Sequence, residues 1–120
     1  AFAIWAAVAA FRNGGEWLDA LREYIYENKR RVTEFIEKEL VQIKLIHSEA
    51  TYLLWLDCSA ICDNSEELAD SIRERTGLYL SDGVQYGRTG EKFLRLNIAC
   101  PRARLEDGLR RLREGIAGYR

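Results

Sequence analysis

The chain has 120 residues, of which 48% are hydrophobic and 31% charged, and its formal net charge is −1. This balance is typical of one globular domain with one core, and it gives no reason to expect a nucleic-acid partner. The longest apolar run, Ala1 to Phe11, is well short of the roughly 20 residues that a membrane-spanning helix needs, and it lacks the basic leader of a signal peptide. We therefore expect no membrane partner and a cytoplasmic protein.

The cysteines predict thiols rather than disulfides or a metal site. Cys58, Cys62 and Cys100 are odd in number and have apolar neighbours, a pattern typical of reduced, mostly buried thiols in a cytosolic protein. His47 is the only histidine, so a four-ligand zinc site would need nearly every soft ligand in the chain. No metal site is predicted.

Two helices are predicted at the start of the chain. Residues 2–12 are apolar almost all round and end at Asn13-Gly14-Gly15. Because a helix without a polar face is normally buried, we expect it to pack against something that this short chain does not contain. Residues 16–40 form one amphipathic helix of roughly 37 Å at 1.5 Å per residue, long enough to bridge two domains.

Strands alternate with two further helices in the rest of the chain. The predicted strands are 43–47, 51–57, a weaker one at 78–81, and 93–99; the helices run from the Asn64 cap to Thr76-Gly77 and from Leu105 to about Ala117. Since Tyr52 to Leu56 is apolar on both faces, that strand is expected to be central and covered on each side. The order predicts an α+β two-layer sandwich, with a mostly antiparallel sheet of three or four strands, helices on one side, and the long helix in front.

The strand 93–99 contains an arginine in its middle. Alternation puts Leu94 and Leu96 on one face and Arg95 and Asn97 on the other. A guanidinium on a stiff strand can grip a carboxylate through two parallel hydrogen bonds. On this stretch alone, the commoner explanation is an arginine that faces water on the open side of an antiparallel sheet.

Taken together, the motifs resemble a known family over essentially the whole chain. They are Glu16-Trp17-Leu18-Asp19 with Tyr24 and Asn28, Thr51 to Asp57, Asp82-Gly83 with Tyr86-Gly87 and Gly90, and Phe93 to Arg102. The chain is similar to the C-terminal part of fold-type I pyridoxal-phosphate enzymes, the class I/II aminotransferase superfamily. Within it, the likeness is to the branch of cystathionine β-lyases and related C–S lyases.

The resemblance implies roles for three side chains. Arg95 matches the strand arginine that binds the substrate α-carboxylate in that family. Asn97 shares its strand face and could orient the guanidinium, although a solvent-facing polar residue explains it equally well. Tyr86 stands where an aromatic residue is usual near the active-site mouth. These are the predicted substrate-binding residues, and no catalytic or cofactor-binding residue is predicted in the chain.

The chain also departs from the family pattern. Ser48-Glu-Ala-Thr-Tyr52 lacks the turn proline and glycine that often precede the central strand, and Ala103 replaces a serine cap before the last helix. None of its four lysines lies in the family's cofactor-lysine motif. The resemblance therefore implies bridging helices (1–40) and a small C-terminal domain (41–120), separate from the N-terminal domain that holds pyridoxal phosphate.

The sequence is compatible with two functions. The first is the C-terminal domain of an aminotransferase or C–S lyase, dimeric in the family, which would be inactive and free of cofactor in isolation. The second is a free-standing, non-catalytic binding or oligomerisation module. Exposure of the helix 2–12 would favour the first, because a free-standing domain should cover it. The sequence does not separate lyase from aminotransferase.

Overall fold

The core of the protein lies between an antiparallel sheet and a layer of helices. A computed structural model describes residues 2–119. The elements are α1 (Phe2–Asn13), α2 (Gly15–Glu39), β1 (Lys44–Leu45), β2 (Leu53–Asp57), α3 (Ser65–Thr76), β3 (Ser81–Asp82), β4 (Phe93–Asn97) and α4 (Arg102–Ala117), with 3₁₀ turns at Val84–Tyr86 and Arg88–Gly90. This arrangement confirms the predicted α+β class.

The sheet has four strands in the order β1-β2-β4-β3, and every neighbouring pair is antiparallel. Its inner face packs against α2, α3 and α4. The buried side chains of this core are Val32, Ile36, Leu40, Leu54, Leu56, Leu68, Ile72, Leu94, Leu96, Ile98, Leu105, Leu109, Leu112 and Ile116, among others. The predicted alternation in β4 is confirmed, since Leu94 and Leu96 are buried while Arg95 is half-buried and Asn97 is exposed.

The edge strands are shorter than predicted. The strand expected at 43–47 is reduced to Lys44–Leu45, because the chain turns away at Ser48, whose carbonyl and hydroxyl oxygens accept hydrogen bonds from Lys29. The strand expected at 78–81 is instead Ser81–Asp82. Leu80 is buried in the core, and only the two residues that follow it pair with β4.

The expectation that β2 is covered on both faces was wrong in part. The strand is central, and Leu54 and Leu56 are buried under the helices. Leu53 and Trp55 point to the outer face and are only half-buried. The cover of that face comes from neighbouring side chains, among them Tyr86 of the 3₁₀ turn and Phe93.

Helix α1 is exposed along its whole length. Phe2, Trp5 and Phe11 are 91%, 74% and 92% exposed, and α1 buries no residue. The break between the first two helices is narrower than predicted: it is Gly14 alone, whose N–H donates to Ala10 O at 2.8 Å. No helix within residues 2–119 is long and apolar enough to cross a membrane.

Helix α4 begins three residues earlier than the predicted Leu105, at Arg102, and Pro101 takes the N-cap position. The missing cap at Ala103 is therefore not a defect, because Ala103 lies inside the helix. The hydroxyl of Tyr24, in α2, accepts a hydrogen bond from the first turn instead. The Arg102 backbone N–H donates to Tyr24 Oη at 2.8 Å, which satisfies one of the free donors at a helix start.

A buried asparagine joins α2 to the β4–α4 junction. The Asn28 side chain is fully buried, and its Nδ2 donates to the carbonyl oxygens of Ile98 and Cys100, both at 3.0 Å. Its Oδ1 accepts from Arg102 Nε at 3.3 Å, and the Arg102 guanidinium lies 4.8 Å from the centre of the Tyr24 ring. The carboxamide thus uses both of its donors and its acceptor.

All three cysteines are free thiols. Cys58 and Cys62 are buried and Cys100 is half-buried, in agreement with the prediction. Burial raises the pKa of the Cys58 thiol to about 12, so this sulfur stays protonated and unreactive near neutral pH.

We expect Asn28→Ala to lower the free energy of unfolding by about 2 to 4 kcal/mol, since it leaves two carbonyls without donors at a buried site. Asn13→Ala, at an exposed position in α1, is the matched control and should change stability little. Urea unfolding of both variants checks this expectation. Equal effects of the two substitutions would contradict the anchoring role of Asn28.

A second stability prediction concerns two glycines of α4. A Cβ on Gly115 would lie 2.9 Å from Ile72 Cγ1, whereas a Cβ on Gly108 would meet only Leu78 Cδ1, at 3.8 Å. Gly115→Ala should therefore destabilise the protein by about 1 to 3 kcal/mol through overpacking. Gly108→Ala should stabilise it by up to about 1 kcal/mol through helix propensity. The same sign for both substitutions in thermal unfolding would refute this packing argument.

Candidate functional site

Arg95 lies in the middle of β4, on the outer face of the sheet. Antiparallel pairing puts Trp55 of β2 directly opposite it on one side and Ser81 of β3 on the other. Arg95 Nη2 donates to Ser81 Oγ at 3.3 Å. Within residues 2–119 no carboxylate oxygen lies within 4.0 Å of the guanidinium, whereas half of the other arginines in that range form ion pairs. Arg95 is therefore a half-buried cation without an internal counter-charge.

Aromatic side chains surround this cation. The Arg95 guanidinium carbon is 4.6 Å from the centre of the Tyr86 ring, within cation–π range. Tyr86 meets the indole of Trp55 edge to face, with ring centres 5.5 Å apart, and Trp55 meets Phe93 in the same way at 6.0 Å. These contacts cover the outer face around Arg95 and bring two of the predicted site residues, Arg95 and Tyr86, together.

The loop that carries Tyr86 is closed at its base by two glycines. A Cβ on Gly83 would lie 2.2 Å from Gly90 O, and a Cβ on Gly90 would lie 2.1 Å from Gly83 O, so only glycine fits at either position. The buried Ser65, at the start of α3, accepts from Gly83 N at 3.3 Å and donates to Gly90 O at 3.4 Å. The backbone approach and this hydroxyl fix the position of the loop.

Asn97 lies on the same face as Arg95 but does not contact its guanidinium. Its Oδ1 accepts from Ala99 N at 2.9 Å, a local turn at the end of β4, and the residue is exposed. The hydrogen bond that the sequence suggested between Asn97 and Arg95 is replaced by the one from Arg95 to Ser81. The amide nitrogen of Asn97 stays on the exposed side of the sheet.

Nearby acidic groups are engaged elsewhere. Asp57 accepts from Ser59 N at 2.9 Å, and the hydrogen bonds from Ser59 lower the pKa of this carboxyl below its usual value. Asp82 accepts from the Gln85 side chain at 2.7 Å. Among residues 2–119 no group of three His, Cys, Asp or Glu side chains could hold a metal ion.

A groove of about 1410 Å³ lies on another side of the domain, between α2 and residues 47–52. Tyr24, Lys29, Tyr52 and Cys100 line it, among other residues, and Arg95 does not. The cation is thus presented on an open sheet face rather than in an enclosed pocket. Such a face becomes a site only when a second wall covers it.

Sequence reasoning missed Trp55 and Ser81 as neighbours of Arg95. Alternation along one strand tells which of its residues share a face, but the pairing of strands depends on register, which no local pattern determines here. The outward-facing Trp55, in a strand apolar on both faces, was the available signal. For Ser81, the weak strand predicted at 78–81 indicated only an approximate position in the sheet.

Comparison with known proteins identifies relatives for the whole described domain, although no family model matches the chain. The chain is 40% identical over 117 residues to the cystathionine β-lyase PatB of Bacillus subtilis. It is 32% identical over 118 residues to the protein MalY of Escherichia coli. Each match includes 98% of this chain but only 30% of the relative. The chain therefore spans about 30% of the length of these curated relatives.

Solved structures agree with these relatives. A PLP-bound putative aminotransferase from Clostridium difficile superposes with a TM-score of 0.86 and 34% identity, over 90% of this chain and 28% of that structure. The shared fold and the sequence identity relate this chain to that aminotransferase. The chain belongs to the fold-type I pyridoxal-phosphate enzymes of the class I/II aminotransferase superfamily, as a C-terminal domain of the kind found in cystathionine β-lyases and related C–S lyases.

Proposed function

We propose that this domain binds the α-carboxylate of an amino-acid substrate through Arg95, as part of an aminotransferase or C–S lyase that uses pyridoxal phosphate. The observation that carries the proposal is the guanidinium of Arg95, stacked on Tyr86 and without a carboxylate partner among residues 2–119. Three other half-buried cations, Arg31, Lys92 and Arg111, are each paired with a carboxylate. A substrate carboxylate would supply the missing charge through two parallel hydrogen bonds.

The role of Arg95 is orientation as well as affinity. A carboxylate held by both oxygens cannot rotate about a single hydrogen bond, so its Cα substituents point in fixed directions. This restriction selects the Cα bond that faces the reactive groups of the parent enzyme. Asn97 and Tyr86 are proposed to line the same site, Asn97 with its free amide and Tyr86 with its ring.

The lysines of this chain do not fit the Schiff-base position of a pyridoxal-phosphate site. Lys29 Nζ donates to Ser48 Oγ at 2.9 Å, and Lys92 Nζ pairs with Asp63 at 2.8 Å. Lys38 and Lys44 are exposed, one on α2 and one on edge strand β1. We therefore assign the cofactor to the rest of the parent and expect no catalysis by this chain alone.

The division of the chain follows from the same proposal. Residues 1–40 would bridge to the N-terminal domain, and residues 41–120 would form the small domain. The exposed apolar surface of α1 supports this division over the free-standing binding or oligomerisation module, because a free-standing domain should cover its helices. We also propose that the parent enzyme is a homodimer and that it is located in the cytoplasm.

We expect the intact mass of the encoded product to be about three times that of this chain, in proportion to the 30% coverage of its relatives. We also expect that product, unlike the 120-residue chain, to show the visible absorption of pyridoxal phosphate. A natural product of 120 residues would replace the enzyme proposal with the binding module.

In the full-length parent, Arg95→Ala should lower kcat/KM for L-cystathionine or another amino-acid substrate by roughly 100- to 1000-fold, the loss of two charge-assisted hydrogen bonds. Arg95→Lys should restore only part of it, because an ammonium group cannot form the bidentate pair. The control is Arg88→Ala, which removes an exposed arginine from the loop that carries Tyr86. A loss below threefold for Arg95→Ala would exclude the carboxylate role.

A further inference from the structure

The position of Arg95 depends on its two cross-strand neighbours. Ser81 and Trp55 stand directly opposite it on β3 and β2, so the three side chains form one row across the outer face of the sheet. Residues opposite each other in an antiparallel sheet have close Cβ atoms and interact strongly. Arg95 is thus flanked on both sides by side chains that sequence analysis had not assigned.

Ser81 acts on the edge of the guanidinium. Its hydroxyl accepts from Arg95 Nη2 at 3.3 Å, and it is the hydrogen-bond partner that the guanidinium has among residues 2–119. An arginine side chain has several rotatable bonds, so a free guanidinium samples many positions. The hydroxyl of Ser81 removes part of this freedom before any ligand arrives.

Trp55 acts through Tyr86. The tyrosine ring covers one face of the guanidinium at 4.6 Å, and the indole of Trp55 holds that ring edge to face at 5.5 Å. The base of the loop is fixed by Gly83 and Gly90, so the backbone below the ring is held in place as well. With one face covered, a carboxylate approaches in the guanidinium plane, the direction in which its hydrogen bonds are formed.

We propose that Ser81 and Trp55 are positioning residues for the carboxylate-binding arginine: Ser81 holds the edge of the guanidinium, and Trp55 holds Tyr86 against its face. This inference rests on the proposed function of Arg95. In this proposal both residues act on Arg95 and Tyr86, so their substitution should affect ligands that carry a carboxylate.

The test compares two ligands that differ in that group, L-alanine and L-alaninamide. Their dissociation constants are measured in the full-length parent from the change in the cofactor's visible absorption. Ser81→Ala and Trp55→Leu should each weaken L-alanine about 3- to 10-fold and leave L-alaninamide unchanged. The controls are Ser71→Ala on α3 and Trp17→Leu, an indole that is 68% exposed on α2.

A second readout needs neither ligand nor cofactor. In the 120-residue chain, the ¹⁵N order parameter of the Arg95 Nε–H group should be near that of the backbone. It should fall in Ser81→Ala and Trp55→Leu toward the value of an exposed arginine such as Arg12. Backbone spectra of the same samples report whether the fold is kept.

The outcomes separate the two proposals. If Arg95→Ala leaves the ratio of the two dissociation constants unchanged, the proposed function fails. If Arg95→Ala abolishes the preference for L-alanine while Ser81→Ala and Trp55→Leu keep both the preference and the order parameter, the positioning role alone is overturned. Equal weakening of both ligands would also overturn it, because that pattern indicates a general structural effect.

Discussion

The buried carboxamide of Asn28 is the interaction on which the arrangement of this domain depends. A helix and a sheet can slide over each other when only apolar side chains join them, because such contacts have no direction. Hydrogen bonds from Asn28 to two carbonyls of the β4–α4 connection, those of Ile98 and Cys100, remove that freedom. They fix α2 at one position along β4, and Arg95 lies three residues before the first of these carbonyls.

The sheet divides the domain into a side that forms the core and a side that carries the candidate site. Its inner face is filled by leucine, isoleucine and valine side chains under three helices. Its outer face has aromatic residues and the guanidinium of Arg95. The two-residue alternation of β4 connects them, since the burial of Leu94 and Leu96 forces Arg95 outward. Packing on one side therefore determines where the charge is presented on the other.

Much of this could be predicted from the sequence, and the errors have physical causes. Periodicity was sufficient for α2, the central strand and the face of Arg95, because these depend on neighbours within a few residues. The first edge strand was too long in the prediction because Ser48 is hydrogen-bonded to Lys29, a contact 19 residues apart. The start of α4 was missed because its free donor is met by Tyr24, 78 residues earlier. Trp55 and Ser81 were missed as neighbours of Arg95 because register is a property of paired strands.

The length of α2 has a mechanical consequence. The helix is continuous from Gly15 to Glu39, and its buried residues, Asn28, Val32 and Ile36, all lie in its second half. The first half of the helix therefore extends beyond Asn28 without buried residues, over a length of about 20 Å at 1.5 Å per residue. A rotation of α2 by about 5° about Asn28 would move the start of the helix, and α1 with it, by about 2 Å. A surface that packed on α1 would therefore be connected, through α2 and the Asn28 hydrogen bonds, to the strand that carries Arg95.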